Sequence, residues 1–314
     1  AERAAVCDLT HGPVFRVTLI RIAEDRHRFV LTNHHIVIDG WSKPILLQEI
    51  FASYYGHRLP APVPYRRFVT WLAGRDLHAA RAAWGAVLAG FDTPTLVGPP
   101  DRAGLGRRGY ESLQISAETT QALGGLARSC QTTVNIVLQA AWAQLLYSVT
   151  GQHDVVFGTA VSGRPAEVAG ADSMVGLMIN TVPVRANITG ETTIEDLLEQ
   201  LQSAHNRTLE HQHLALNEIH RVTGLDQLFD SVFAYENYPM DTGALDGDAE
   251  LTITDIVSRE YTHYPLAVQA VPGEELSLRF EYDTAVFTAA KIAKLIERLR
   301  RVLVAMTPEM GEET

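Results

Sequence analysis

The chain has little cysteine. Cys7 and Cys130 stand far apart in 314 residues and in no metal-ligand spacing. This argues against a disulfide framework or a thiolate zinc site and fits a reducing, cytoplasmic setting. No apolar run reaches about 18 residues, so no membrane span is read. The opening stretch "AERAAVCDLTHGP" has no apolar core of signal-peptide type. The Asn-x-Thr triplets at Asn187 and Asn206 accordingly read as chance. Runs of Lys or Arg are also missing, and the net charge is −11 with His neutral. Such a chain is a poor partner for nucleic acid or an anionic membrane. The cluster "RLRR" at 298–301 has helical spacing and reads as a solvated face.

What is present is ordinary globular material, 46% hydrophobic and 20% charged. The length suggests about two domains. Residues 14–22 alternate Phe15, Val17 and Leu19 with Arg16 and Thr18, the pattern of a half-buried strand. A second strand is expected at about 28–33, giving a hairpin. Ser42 reads as an N-cap with Pro44 in the first turn, and Gly56 ends that helix. Two more helices are expected at 63–73 and 77–90. The stretch 91–109 is rich in Pro and Gly, which marks a linker and domain boundary. Further on, residues 133–149 read as a buried helix. Residues 154–162 and 174–184 read as strands covered on both faces, with Pro183 at an edge. Thr192 and Glu195 suggest a capping box for a helix at 193–210. Strands near 229–235 and 275–282 and a helix at 288–306 complete the pattern. Long helices interspersed with strands predict an α/β (α+β) fold of helix-covered sheets.

One stretch, "FVLTNHHIVIDGWSK" at 29–43, carries candidate chemistry. If strand geometry continues to His35, the rings of His34 and His35 point to opposite faces. At most one then lines a reaction space. A histidine there could be a general base or a hydrogen-bonding group, because imidazole titrates near neutrality. Asp39 could orient an imidazole or pair with an arginine, and Gly40 allows a close approach. Read alone, the histidines are better explained as satisfied core or loop residues and Asp39 as a turn former. No serine nucleophile elbow or triad spacing accompanies them, and no further His or Cys cluster supports a metal.

The whole string "HHIVIDGWS" at 34–42 resembles the signature of condensation domains of nonribosomal peptide synthetases. "YRRFVTWL", "DVVFGTAVSGRP", "MVGLMINTVPVR", "HQHLALNEI", "LFDSVFAYENYP" and "THYPL" resemble its other motifs in order, over essentially the whole chain. The resemblance implies two chloramphenicol-acetyltransferase-like lobes in a V shape. It divides the chain into 1–92 for the N-terminal lobe, only partly present, 93–109 for a linker and 110–314 for the C-terminal lobe. It implies peptide-bond formation: the amine of an acceptor aminoacyl-carrier thioester attacks a donor peptidyl-carrier thioester. His35 is then the catalytic histidine, supported by His34, Asp39, Gly40 and Trp41. Asn180, Thr181 and Asn237 are expected along the substrate channel. The implied partners are donor and acceptor peptidyl carrier domains, which bring the 4'-phosphopantetheine, and a neighbouring adenylation domain. No cofactor or metal of the chain's own is expected. Asp39 normally pairs with an arginine from a motif preceding the signature, and that motif is not found here. The "FDSVFAYENYP" form of its motif resembles that of domains taking an L-configured donor.

Two rivals share parts of this pattern. Epimerization domains carry the same histidine string, but "DGWS" and "INTVPVR" resemble condensation. Non-catalytic recruitment modules have degraded signatures, whereas His34, His35, Asp39 and Gly40 are intact.

Overall fold

The computed structural model describes residues 8–12, 14–99, 106–237, 251, 253–258 and 260–307. These divide between two compact units. The first draws on Ala1–Arg75, Ser162–Ile179 and Tyr238–Val257, the second on Asp76–Val161, Asn180–Asn237 and Ser258–Thr314. Both units are thus assembled from separated stretches, unlike the contiguous 1–92 and 110–314 expected. Residues 76–92 belong to the second unit because Ala80, Trp84, Leu88 and Phe91 are buried with Leu214, Ile219 and Leu228. The expected linker at 93–109 lies partly outside the described residues. Its start is tied down: Thr95 bridges to Phe229, and Asp230 accepts the N–H groups of Val97 and Gly98, both at 2.8 Å.

In the first unit, β1 (Phe15–Arg21) and β2 (His27–Asn33) form an antiparallel hairpin, from Phe15 opposite Asn33 to Arg21 opposite His27. The alternation is as read, but its sense is reversed. Phe15, Val17 and Leu19 are exposed, while Arg16 and Thr18 are partly covered. Among the described residues no element covers the apolar face. Helices α1 (Ser42–Tyr54) and α2 (Arg66–Ala73) follow. Gly56 adopts φ +76° just past α1. The core of this unit is Phe68 of α2 packed with Val168, Ala171, Met174 and Met178.

The second unit begins with α3 (Leu77–Val87), capped by Asp76. Then come β3 (Arg108–Ile115), α4 (Ala117–Ser129), α5 (Val134–Thr150), β4 (Asp154–Val161), β5 (Asn180–Asn187), α6 (Ile194–Thr208), α7 (Leu216–Thr223), β6 (Ser231–Tyr235), β7 (Leu266–Val271), β8 (Leu276–Asp283) and α8 (Ala289–Met306). The strands make a six-stranded mixed sheet in the order β3-β8-β7-β6-β4-β5. Helices cover both faces, as strand parity dictates. Val155 and Phe157 of β4 face the core built with α4, α5, α6 and α8, while Val156 faces Trp84 and Ile219. Pro183 sits on β5, an edge strand, where its missing N–H costs no ladder bond.

Three local readings change. The capping box is Thr193 with Asp196, one residue later than expected, because the Thr192 hydroxyl accepts the Thr189 N–H. The strand expected at 174–184 starts only at Asn180. The strand expected near 229–235 starts at Ser231, and Phe229 ahead of it packs with Val232. Among the described residues no helix is long and apolar enough to cross a membrane.

Candidate functional site

The histidine pair stands where β2 runs out. Asn33 is the last paired residue, and the His34 N–H makes one further bond, to the Val14 carbonyl at 2.8 Å. The chain then turns: the Val37 N–H donates to the His34 carbonyl at 3.2 Å. Strand parity therefore stops at Asn33, and a turn separates the two rings. His34 is partly covered, and its Nδ1 accepts the Ile36 N–H at 3.1 Å. His35 is exposed and makes no side-chain hydrogen bond among the described residues.

Asp39 is the anchor after the turn. It is 1% exposed. Oδ1 accepts the Ser42 N–H at 2.9 Å and the Arg164 Nη2 at 3.1 Å, and lies 2.6 Å from the Ser42 hydroxyl. Oδ2 accepts the N–H groups of Met178 at 3.0 Å and Ile179 at 3.4 Å. The Asp39 N–H itself donates to the Gly176 carbonyl at 3.2 Å. Helix α1 is thus capped by the Asp39 carboxylate, and Ser42 is its first residue instead of its cap. The fully buried Ser42 hydroxyl accepts the Gly176 N–H and Arg164 Nη2, and its single proton goes to Asp39 or to the Gly176 carbonyl.

Arg164 supplies the cation that the signature's aspartate needs. It comes from "SGRP", just beyond β4, not from a motif ahead of the signature. Its side chain is 2% exposed, and Nη1 donates to the carbonyls of Ala171 and Met174. The guanidinium carbon lies 5.7 Å from the centre of the Trp41 ring, a cation–π distance. Burial lowers the Arg164 pKa from its ordinary value, opposed by the charge of Asp39. Tyr65 locks the same loop from the other side: its hydroxyl donates to the Leu177 carbonyl, and Gly176 lies against its ring. Burial and then the charge of Asp39 raise the Tyr65 pKa. These bonds explain why 174–179 is no strand: the backbone of Gly176, Met178 and Ile179 is hydrogen-bonded to Asp39 and Ser42 instead of to a ladder.

The structure therefore brings Asp39, Trp41, Ser42 and Arg164 together beside the His34–His35 turn. Gly40 is partly covered in the bend between Asp39 and Trp41. The remaining candidates lie in the second unit. The Asn180 amide donates to the carbonyls of Gln212 and Leu214, both at 2.8 Å, and its Oδ1 accepts the Thr181 N–H. That side chain is engaged in its own fold. Thr181 is partly covered and sits in the β4–β5 ladder opposite Ala160. Asn237 is exposed beyond the end of β6, and Pro239 lies outside the described residues. Among the described residues, no group of three or more His, Cys, Asp or Glu side chains is placed to hold a metal. Arg164, Ser42 and Tyr65 were missed as site residues. The available signal was an arginine next to a strand end within a motif segment.

Comparisons with known proteins identify the family and the fold. The Condensation domain family model matches residues 2–311. Chondramide synthase cmdD of Chondromyces crocatus is 40% identical over 296 residues, 90% of this chain and 8% of that protein. The chain thus spans under a tenth of that relative's length. The X-domain from teicoplanin biosynthesis superposes with a TM-score of 0.84 at 22% identity, over 99% of this chain and 76% of that one. The first condensation domain of the calcium-dependent antibiotic synthetase, in complex with a substrate analogue, does so with a TM-score of 0.74 at 22% identity, over 94% and 70%. These structures share the chloramphenicol-acetyltransferase-like fold. The chain belongs to the condensation-domain family of nonribosomal peptide synthetases.

Proposed function

We propose that the chain forms peptide bonds between carrier-bound substrates. The amine of an aminoacyl thioester on an acceptor carrier attacks the carbonyl carbon of a peptidyl thioester on a donor carrier. The C–N bond forms and the C–S bond breaks. The donor carrier leaves as its thiol, which takes up the proton that the amine gives up. The phosphopantetheine arms belong to the carriers, and an adjoining adenylation domain loads the acceptor.

One observation supports this reading most. His35 is exposed on a turn fixed on both sides, by the Val14–His34 bond before it and by Asp39 after it. Asp39 has both carboxylate oxygens occupied and none to spare for chemistry. His35 is the signature side chain left to act. Its imidazole hydrogen-bonds the attacking amine and accepts its proton as the tetrahedral intermediate forms. Holding two tethered reactants in line supplies much of the rate by itself. We further infer an L-configured donor from the "FDSVFAYENYP" motif, of which residues 229–237 are described.

The test is a condensation assay in the intact synthase. Donor carriers loaded with L- and D-terminated peptides compete for one loaded acceptor, and products are read by mass spectrometry. Amide product from the L-terminated donor is expected. Preference for the D-terminated donor overturns the stereochemical assignment. Inversion without amide formation indicates epimerization. No product, together with binding of a tailoring enzyme, indicates recruitment.

A further inference from the structure

His34 offers a second, separable inference, which rests on the reading of His35 given above. A backbone N–H only donates, so the Ile36 N–H at 3.1 Å requires a lone pair on His34 Nδ1. The neutral ring then carries its proton on Nε2. The contact spans two residues and leaves the side chain through the atom attached to Cγ. This is the geometry that asparagine and aspartate use in Asx turns. The histidine is therefore a turn-forming side chain in the place where an Asx residue would serve. The bond fixes the Ile36 amide, one residue after His35. His34 is also fixed by its own backbone, through Val14 on one side and Val37 on the other, with its carbonyl accepting from Asn33 Nδ2 at 3.3 Å. Among the described residues, both peptide units flanking His35 are held through His34: its carbonyl accepts the Val37 N–H and Asn33 Nδ2, and its Nδ1 accepts the Ile36 N–H.

We propose that His34 is a positioning residue, acting as the Nε2–H tautomer whose Nδ1 closes an Asx-like turn and aims the His35 ring. It makes no contact with substrate in this role. The proposal separates two substitutions that a loosely structural role would treat alike. Asparagine puts an acceptor oxygen where Nδ1 stands. Glutamine is one methylene longer and puts its amide near the Nε2 position.

The test is made in the intact synthase with both loaded carriers. His34→Asn should keep kcat within about threefold of the parent, while His34→Gln should lose about tenfold or more in kcat, as expected for a misplaced reacting group. KM for the loaded carriers should stay unchanged in both. Thermal unfolding of each variant identifies a loss that comes from misfolding. A second readout needs no turnover. With ¹⁵N-labelled histidine, the His34 signal, assigned by its disappearance in His34→Asn, should show Nδ1 unprotonated and Nε2 protonated in the neutral ring. Equal kcat losses in the Asn and Gln variants, or a proton on Nδ1, overturn the proposal. A parent synthase that makes no amide bond but shows the Nε2–H tautomer leaves the turn assignment standing and removes the reading of His35.

Discussion

At the residue scale, the balance of the site lies in one buried ion pair. Asp39 and Arg164 are both almost completely enclosed, and each is also bonded to backbone. A buried pair contributes little net Coulombic stability, but removing one partner strands the other charge and costs about 3–5 kcal/mol. Asp39→Ala should therefore lower the unfolding temperature by several degrees. Replacing Arg164 by Ala as well should cost less than the sum of the two single changes, because the double variant strands neither charge. Thermal denaturation of the four proteins in such a cycle measures this directly. Additive losses would show that the two side chains act independently. A cationic partner for Asp39 was implied by the family resemblance, while the residues alone left orienting an imidazole, pairing with an arginine and forming a turn all open. The identity of the cation was not legible in the sequence. No local periodicity connects Asp39 to an arginine 125 residues later, and the family pattern pointed the other way along the chain.

At the element scale, the segment 162–179 is held by backbone bonds to side chains instead of by a ladder. That is why "MVGLMINTVPVR" misled: an apolar run that reads as a buried strand is a strand only from Asn180. Met174 and Met178 are buried all the same, against Phe68 of α2. Two glycines make the path possible. Gly163 has φ +60°, and a Cβ there would collide with the Met178 carbonyl oxygen. A Cβ on Gly176 would enter the Tyr65 ring. A non-glycine residue held at positive φ costs of order 1–3 kcal/mol before any collision. Gly163→Ala should thus destabilise the protein more than Gly190→Ala, a position with nothing within 4 Å. Limited proteolysis should cut 162–179 first in the Gly163→Ala protein. Equal stability of the two variants would contradict the tight packing of this loop. The helices were more legible. Those beginning at Ala289, Ile194 and Val134 lie within a residue or two of their expected starts, because apolar periodicity fixes them. Strands β3 and β7 were not read; β3 begins at Arg108 and Gly109, inside the Pro- and Gly-rich stretch 91–109 that reads as a linker.

At the scale of the whole molecule, the second unit sets an acid limit. Burial lowers the pKa of His205 on α6 below the ordinary histidine value of 6.5, and that of His220 on α7 likewise, with Asp226 opposing. The unfolded chain then binds more protons than the folded one as pH falls below about 6.5. The contribution of these groups to stability is complete above that value and is lost as pH drops from there through the lower folded pKa values. Stability should therefore fall on acidification in this window, with a smaller slope in His205→Gln. An unchanged slope in that variant would clear His205 of the effect.

The proposal that joins these scales is that the anchored turn presents His35 to a carrier-bound amine. The measurement that tests it most directly is single-turnover peptide transfer between two loaded carriers, comparing the parent synthase with His35→Ala after both are shown to be folded. The account predicts amide formation by the parent and a large loss in the variant, about a hundredfold or more. Normal turnover by the His35→Ala protein would contradict it.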